Sequence, residues 1–201
     1  LPADAVIGTD IREYLQLDDS LIDLDLTANR GDCLSLHGLA RELGTLTQES
    51  VNFTKINSIK PSHTDSFAVE VLEPVACPNY LGRVIKGINP NAESPLWLQE
   101  KLRRSGLRSI SAVVDITNYV MLLLGQPMHG FDLAKLDSKV EIRNAKKGEK
   151  LILLDGSEKT LDEKTLVIAD VKGPVAIAGV MGGEASAVSA ETTDIFLESA
   201  F

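Results

Sequence analysis

Residues 139–180, KVEIRNAKKGEKLILLDGSEKTLDEKTLVIADVKGPVAIAGV, decide the fold class. Val140–Arg143, Leu151–Leu154, Thr165–Ala169 and Val175–Val180 are short runs rich in aliphatic side chains, the residues that suit a pleated, half-buried surface. Turn chemistry separates them, most clearly at Asp155-Gly156, a hairpin signal. A further run, Ile195–Leu197, follows. Strands therefore dominate the last third of the chain.

Upstream of Lys139 the pattern is largely helical. A helix starting near Asp115 carries Ile116, Tyr119, Val120 and Leu123; Gly125 ends it and Pro127 prevents a restart. Another opens at Ser94-Pro95, runs to Gly106 and displays Lys101, Arg103 and Arg104. Two strands, Phe67–Val71 and Tyr80–Ile88, precede it. Gln48–Asp65 is polar and irregular. Ser35 caps a helix with Leu36, Leu39, Ala40 and Leu43 on one stripe, and Gly44 falls where a helix-ending glycine belongs. Gly38 inside that helix costs about 1 kcal/mol relative to Ala, which points to close packing. Leu21–Leu26 alternates apolar and acidic residues as a strand would, and Leu1–Leu17 reads as a lead-in with a helical turn near Asp10–Leu15. Helices in the first two-thirds and a mixed or antiparallel β-rich last third argue for α+β rather than a doubly wound parallel sheet. The expected division is a lead-in over residues 1–20 and a module of two closely packed subdomains over residues 21–201.

The chain has 201 residues, 44% of them hydrophobic, enough to bury a core. No apolar run is long enough to suggest a membrane span, and the N-terminal stretch lacks the basic start and apolar core of a signal peptide. The start at Leu1 reads as an excerpt from a longer chain. A net charge of −9 does not suit a fragment that grips RNA by its phosphates, so any such grip is expected on other domains. Cys33 and Cys77 are far apart without CxxC spacing, which argues against a zinc site or a disulfide framework and suits a reducing cytoplasm.

Phosphate-loop, HExxH and GxSxG signatures are missing. Gly182-Gly183 follows a strand of small residues, where absent side chains let backbone approach a ligand or another strand; a bend in a barrel explains it equally well. Glu198 interrupts a run apolar on both faces, Ile195, Leu197 and Phe201 against Phe196 and Ala200. A carboxylate there is expensive unless partnered, so it is a binding or catalytic acid, a buried ion pair or a strand end in solvent. His129, in a loop between Pro127 and Gly130, has an imidazole able to bond a substrate, although a bond within the loop through Asp132 is the commoner reason for such a histidine. His37 and His63 read as structural or solvated. Lys101, Arg103, Arg104 and Arg108 could touch phosphates but read better as a solvated helix face.

Taken in order, several segments resemble one family. Thr27-Ala-Asn-Arg-Gly-Asp-Cys-Leu34, Gly38-Leu-Ala-Arg-Glu42, Tyr80-Leu-Gly-Arg83, Leu102-Arg-Arg-Ser-Gly-Leu107, Val113-Val-Asp-Ile-Thr-Asn-Tyr-Val120, Gly125-Gln-Pro-Met-His-Gly-Phe-Asp132, Gly182-Gly-Glu184 and Phe196-Leu-Glu-Ser-Ala-Phe201 are similar to the editing module of bacterial phenylalanine–tRNA ligase beta chains. Ala28 stands where proline is common, and Gly130 where alanine is common. The resemblance implies a pocket with His129, Thr117 and Asn118 at the reacting end. It implies Glu198 as the tyrosine-sensing acid, and Gly182, Gly183 and Pro127 in the wall. It also implies a pocket segment soon after the last strand, beyond Phe201.

The implied reaction is hydrolysis of tyrosine wrongly esterified to tRNA(Phe), with no metal and no cofactor in this part of the enzyme. ATP and magnesium would serve the ligase reaction elsewhere in a cytoplasmic heterotetramer of two alpha and two beta chains. The physical need is plain. A pocket shaped for a phenyl ring rejects the same ring with a hydroxyl by only about a hundredfold, judged from the valine–threonine case. A second site that binds the hydroxyl can sort the two, because phenylalanine would leave a buried carboxylate unpaired. The alternative expectation is a non-catalytic docking module of the same subunit.

Overall fold

The computed structural model describes residues 5–53 and 55–201, and the protein is α+β. The helices are α1 (Ile11–Tyr14), α2 (Leu36–Thr47), α3 (Leu96–Arg104) and α4 (Ala112–Leu124). Strands β1 (Ala68–Val71) and β2 (Tyr80–Ile85) lie between α2 and α3. After α4 come β3 (His129–Asp132), β4 (Lys139–Asn144), β5 (Lys150–Ile152), β6 (Glu158–Thr160), β7 (Leu166–Ala169), β8 (Pro174–Ile177), β9 (Met181–Gly182) and β10 (Ile195–Ala200).

The strands form a five-stranded sheet in the order β1-β4-β7-β8-β9, a three-stranded sheet β2-β10-β3, and the β5-β6 hairpin. β1 pairs parallel to β4; the other strand pairs are antiparallel. The apolar face of the three-stranded sheet packs on the five-stranded one, joining Val84, Phe131 and Phe196 to Val140, Ile142, Ile168, Val175 and Ala176 in one core. Phe196 anchors it, stacked on Phe131 at 6.5 Å between centroids and tilted against Phe67 at 5.5 Å. Gly82 makes room for the ring, since a Cβ there would come 2.3 Å from Phe196 Cζ. A second cluster, Ala145, Leu151, Leu153, Leu161, Val167 and Ala169, lies under the β5-β6 hairpin.

The helices follow their caps. The Ser35 side chain accepts from the Gly38 N–H, and Gly38 meets the Asp32 carbonyl so closely that a Cβ would lie 1.7 Å from it; close packing is the reason for that glycine. Gly44, expected to end the helix, lies inside it. Its missing side chain admits the returning chain, a Cβ being 2.4 Å from Val51 Cγ2, and Gln48 takes the left-handed role at φ 57°. α3 begins after Pro95 without a side-chain cap, because the Ser94 hydroxyl is drawn away to Asp115 at 2.5 Å. α3 ends at Arg104, short of Gly106, in a Schellman turn: the Leu107 N–H reaches the Leu102 carbonyl at 2.9 Å and the Gly106 N–H reaches Arg103 at 3.1 Å. α4 starts earlier than expected, capped by Ser111, and Gly125 ends it at φ 82°. The helical turn near Asp10 is α1, with Asp10 accepting from the Arg12 N–H; the first four residues of the lead-in lie outside the described residues.

Leu21–Leu26 is not a strand. It runs as irregular chain with Leu21, Ile22 and Leu24 exposed, because among the described residues no strand supplies it with ladder partners. Conversely β3, β6 and β9 form where the sequence shows no strand pattern. The Val175–Val180 run breaks after Ile177, where Gly179 turns the chain at φ 68°.

Candidate functional site

β10 is the centre of the three-stranded sheet, and its register builds the site. Glu198 pairs with Gly82 of β2 on one side and His129 of β3 on the other. Directly paired residues share a sheet face, so Glu198 and His129 point to the same side as Phe196 and Phe131. Tyr80, paired with Ala200, points there too. His129 thus sits on a strand, not in the loop expected for it. The Gln126 amide donates to the Ala200 carbonyl at 3.0 Å, and this ties the turn carrying Pro127 to the end of β10.

The Tyr80 hydroxyl donates to Glu198 Oε2. Burial pushes the Glu198 carboxyl up to about 7, and the bond from Tyr80 pulls the other way. Burial, then the Glu198 charge, hold the Tyr80 phenol far above its ordinary range, so it stays a neutral donor. Burial and Glu198 likewise raise the Cys77 thiol. The His129 imidazole is held neutral by burial, edge-on to Phe131 at 4.5 Å. Its Nε2 is buried and has no hydrogen-bond partner, the kind of orphaned atom that calls for an explanation.

Gly182 lies against that ring: a Cβ there would come 2.6 Å from both Cε1 and Nε2 of His129. Gly183 faces elsewhere, toward Val175 and Leu151, and its N–H is engaged by the Val175 carbonyl at 2.7 Å. Glu198, His129, Gly182 and Tyr80 therefore converge, while Gly183 backs the adjacent sheet. Thr117 and Asn118 lie on α4, which packs on β3 with Val113 beside Gly130, the position that alternates with His129. The Thr117 hydroxyl donates to the Val114 carbonyl at 2.9 Å. A groove of about 720 Å³ runs along β2 between Phe67, Gly82 and Val84 and the Ile59–Ser66 segment. Gly82 joins its wall to the strand pair that carries Glu198, although neither Glu198 nor His129 lines it.

Several polar residues of the sequence motifs are structural. Asp115 is buried; burial opposes its charge, but hydrogen bonds from Ser109, Ser94 and the Ile110 N–H outweigh that and hold the carboxyl low. Arg104, read as part of a solvated face, instead binds Asp19, Glu100 and the carbonyls of Leu15 and Gln16, and so fastens the lead-in to α3. Arg103 pairs with Glu100 at 2.8 Å. Arg30 forks onto Glu42. Among the described residues no His, Cys, Asp and Glu group could hold a metal, and no helix is long and apolar enough to cross a membrane. Tyr80 is the member of the site that the sequence did not reveal. Its partner is 118 positions away, and only the register of β10 on β2 brings them together.

Beta subunits of phenylalanine–tRNA ligase are similar over the whole chain: 58% identical in Vibrio parahaemolyticus, 57% in Pseudomonas fluorescens and 54% in Haemophilus influenzae. The chain spans 25% of the length of each of these relatives. The crystal structure of an N-terminal fragment of the phenylalanyl-tRNA synthetase beta-subunit from Pyrococcus horikoshii aligns over 96% of this chain and 63% of that one, with a TM-score of 0.52. Its 16% identity makes that a likeness of fold. Residues 76–201, which carry β2, α3, α4 and β3 to β10, match the B3/4 domain, and the chain belongs to that family.

Proposed function

We propose that this chain is the editing module of a phenylalanine–tRNA ligase beta subunit and hydrolyses tyrosine wrongly esterified to tRNA(Phe). The observation that carries the reading is the cross-strand pair on β10 and β3: a half-buried carboxylate that already accepts from a phenol, beside a half-buried imidazole whose Nε2 is buried and has no partner. The relatives are named as beta subunits of that ligase, and residues 21–201 form the module in this reading, with residues 1–20 leading in.

Glu198 is the recognition group. Deprotonated, it accepts a hydrogen bond from the tyrosyl phenol; a phenylalanyl ring would desolvate the carboxylate and return nothing. His129 stands at the neighbouring position with Nε2 free to bond the ester or the terminal ribose. Gly182 keeps the ring in place by leaving no side chain against it. Thr117 and Asn118 are the candidates for positioning the attacking water, although α4 packs on the Gly130 face of the sheet, opposite the side chains of Glu198 and His129, and the Thr117 hydroxyl is engaged by the Val114 carbonyl. The amide of Gly183 is spent on the sheet, which shifts oxyanion stabilisation away from it. The module acts on the acceptor end of tRNA within a ligase that also contains an alpha subunit; with a net charge of −9, it leaves most of the grip on tRNA to other parts of that enzyme.

The test is deacylation of purified Tyr-tRNA(Phe) by the parent ligase and by its His129→Ala variant. The expected result is rapid wild-type hydrolysis and a variant slowed about ten- to a thousandfold. Hydrolysis no faster than without enzyme would show a docking module instead, and equal rapid rates for the two proteins would remove His129 from the reacting end.

A further inference from the structure

We infer that Tyr80 is a positioning residue for Glu198: its hydroxyl holds one carboxylate oxygen and leaves the other as the acceptor for the substrate phenol. The inference rests on the recognition role proposed above for Glu198.

The geometry is built into the strand ends. Asn79 and Phe201 exchange backbone hydrogen bonds at 3.0 and 2.9 Å, which fixes the start of β2 against the end of β10. Tyr80 is then opposite Ala200, on the Glu198 face, and its hydroxyl reaches Oε2. Among the described residues no donor reaches Oε1. A carboxylate with four lone-pair sites would otherwise be free to turn and to take up a proton on either oxygen. With Oε2 engaged, one oriented oxygen remains, and it can be satisfied by one phenol.

The chemistry of the donor matters as well as its position. An arginine or lysine here would pair the charge and remove the need for a substrate hydroxyl. A phenol stabilises the anion without cancelling it. The groups facing Glu198 from the packed elements are Tyr80 on β2, Cys77 just before it and His129 on β3, and none of them supplies a positive charge: the thiol and the phenol are held protonated, and burial keeps the imidazole neutral. Glu198 therefore depends on the Tyr80 bond to oppose the burial that favours its protonated form. Protonated, it would be a weaker acceptor, and its preference for a phenol over a bare ring would fall.

The experiment is Tyr80→Phe in the intact ligase, which removes one oxygen and keeps the ring. Deacylation of Tyr-tRNA(Phe) and Phe-tRNA(Phe) is followed from pH 6 to 8.5, beside the wild type and Glu198→Ala. The Tyr/Phe selectivity of Tyr80→Phe is expected to fall about fivefold at pH 7 and to recover toward the wild-type value above pH 8, the midpoint of its pH profile rising by about one pH unit. Wild-type selectivity at every pH would mean that Tyr80 only packs, and faster tyrosyl hydrolysis would mean that it competes with the substrate. Either result overturns the inference. If Glu198→Ala keeps the wild-type ratio, the recognition reading itself fails. If Glu198→Ala collapses the ratio while Tyr80→Phe changes neither ratio nor midpoint, only the inference about Tyr80 fails. Hydrogen-exchange protection of the β10 amides reports that each variant is folded.

Discussion

The two ends of β10 use one scaffold for opposite purposes. At Ile195-Phe196 the strand is sealed, Phe196 sandwiched by aromatic and aliphatic neighbours from both sheets. Two residues on, Glu198 faces the same layer but meets a phenol and an imidazole, and its carboxyl titrates near neutrality. The first end supplies stability through area removed from water. The second gives some of it up, because a carboxyl whose charge is opposed by burial and an unpartnered Nε2 are both costly in that layer. Rigid packing at one end is what lets the other hold polar groups out of solvent.

The contrast can be broken from either end. The largest effect is expected for Phe196→Ala, which empties the fully buried centre of the core and should cost about 3–5 kcal/mol, read as lost hydrogen-exchange protection along β10 and β3. Glu198→Gln should act in the opposite sense and only over part of the pH range. The folded carboxyl titrates at about 7 against an ordinary 4.5, so its contribution is fully present below pH 4.5 and is lost as pH rises through 7. Glutamine has nothing to ionise. The variant's protection relative to wild type should therefore grow between pH 5 and 7.5, by no more than about 3 kcal/mol, and then level off. A constant difference across that range would mean that Glu198 is not desolvated. Gly182→Ala should have the smallest effect on stability, about 1–3 kcal/mol, because the added Cβ meets the tip of the His129 side chain and not backbone. It should nevertheless slow deacylation, since the ring it displaces carries the free Nε2.

The same contrast marks what the sequence could show. The β-rich last third, the α4–Gly125 ending and the isolation of Glu198 in an apolar run were legible, because each depends on neighbours within a few residues. Leu21–Leu26 has the alternation of a strand and remains irregular, because a strand also needs a partner, and partners are a property of the fold. Gly44 looked like a helix end and is a contact point for Val51. His129 looked like a loop residue between Pro127 and Gly130, yet β10 recruits it as an edge strand. Tyr80 is legible as the first residue of a strand and of one segment of the family resemblance; nothing near it in sequence announces Glu198. The site became visible where local pattern and long-range register could be read together.

The central claim is that Glu198 reads the phenol and does not merely support the fold. Its most direct test is the ratio of Tyr-tRNA(Phe) to Phe-tRNA(Phe) deacylation by the parent ligase with Glu198→Ala, measured beside the wild type. Loss of a hydrogen bond to a charged acceptor, about 1.5–3 kcal/mol, predicts that the ratio falls roughly ten- to a hundredfold. A variant that slows tyrosyl hydrolysis yet keeps the wild-type ratio would contradict the account, and would make Glu198 a structural or catalytic acid.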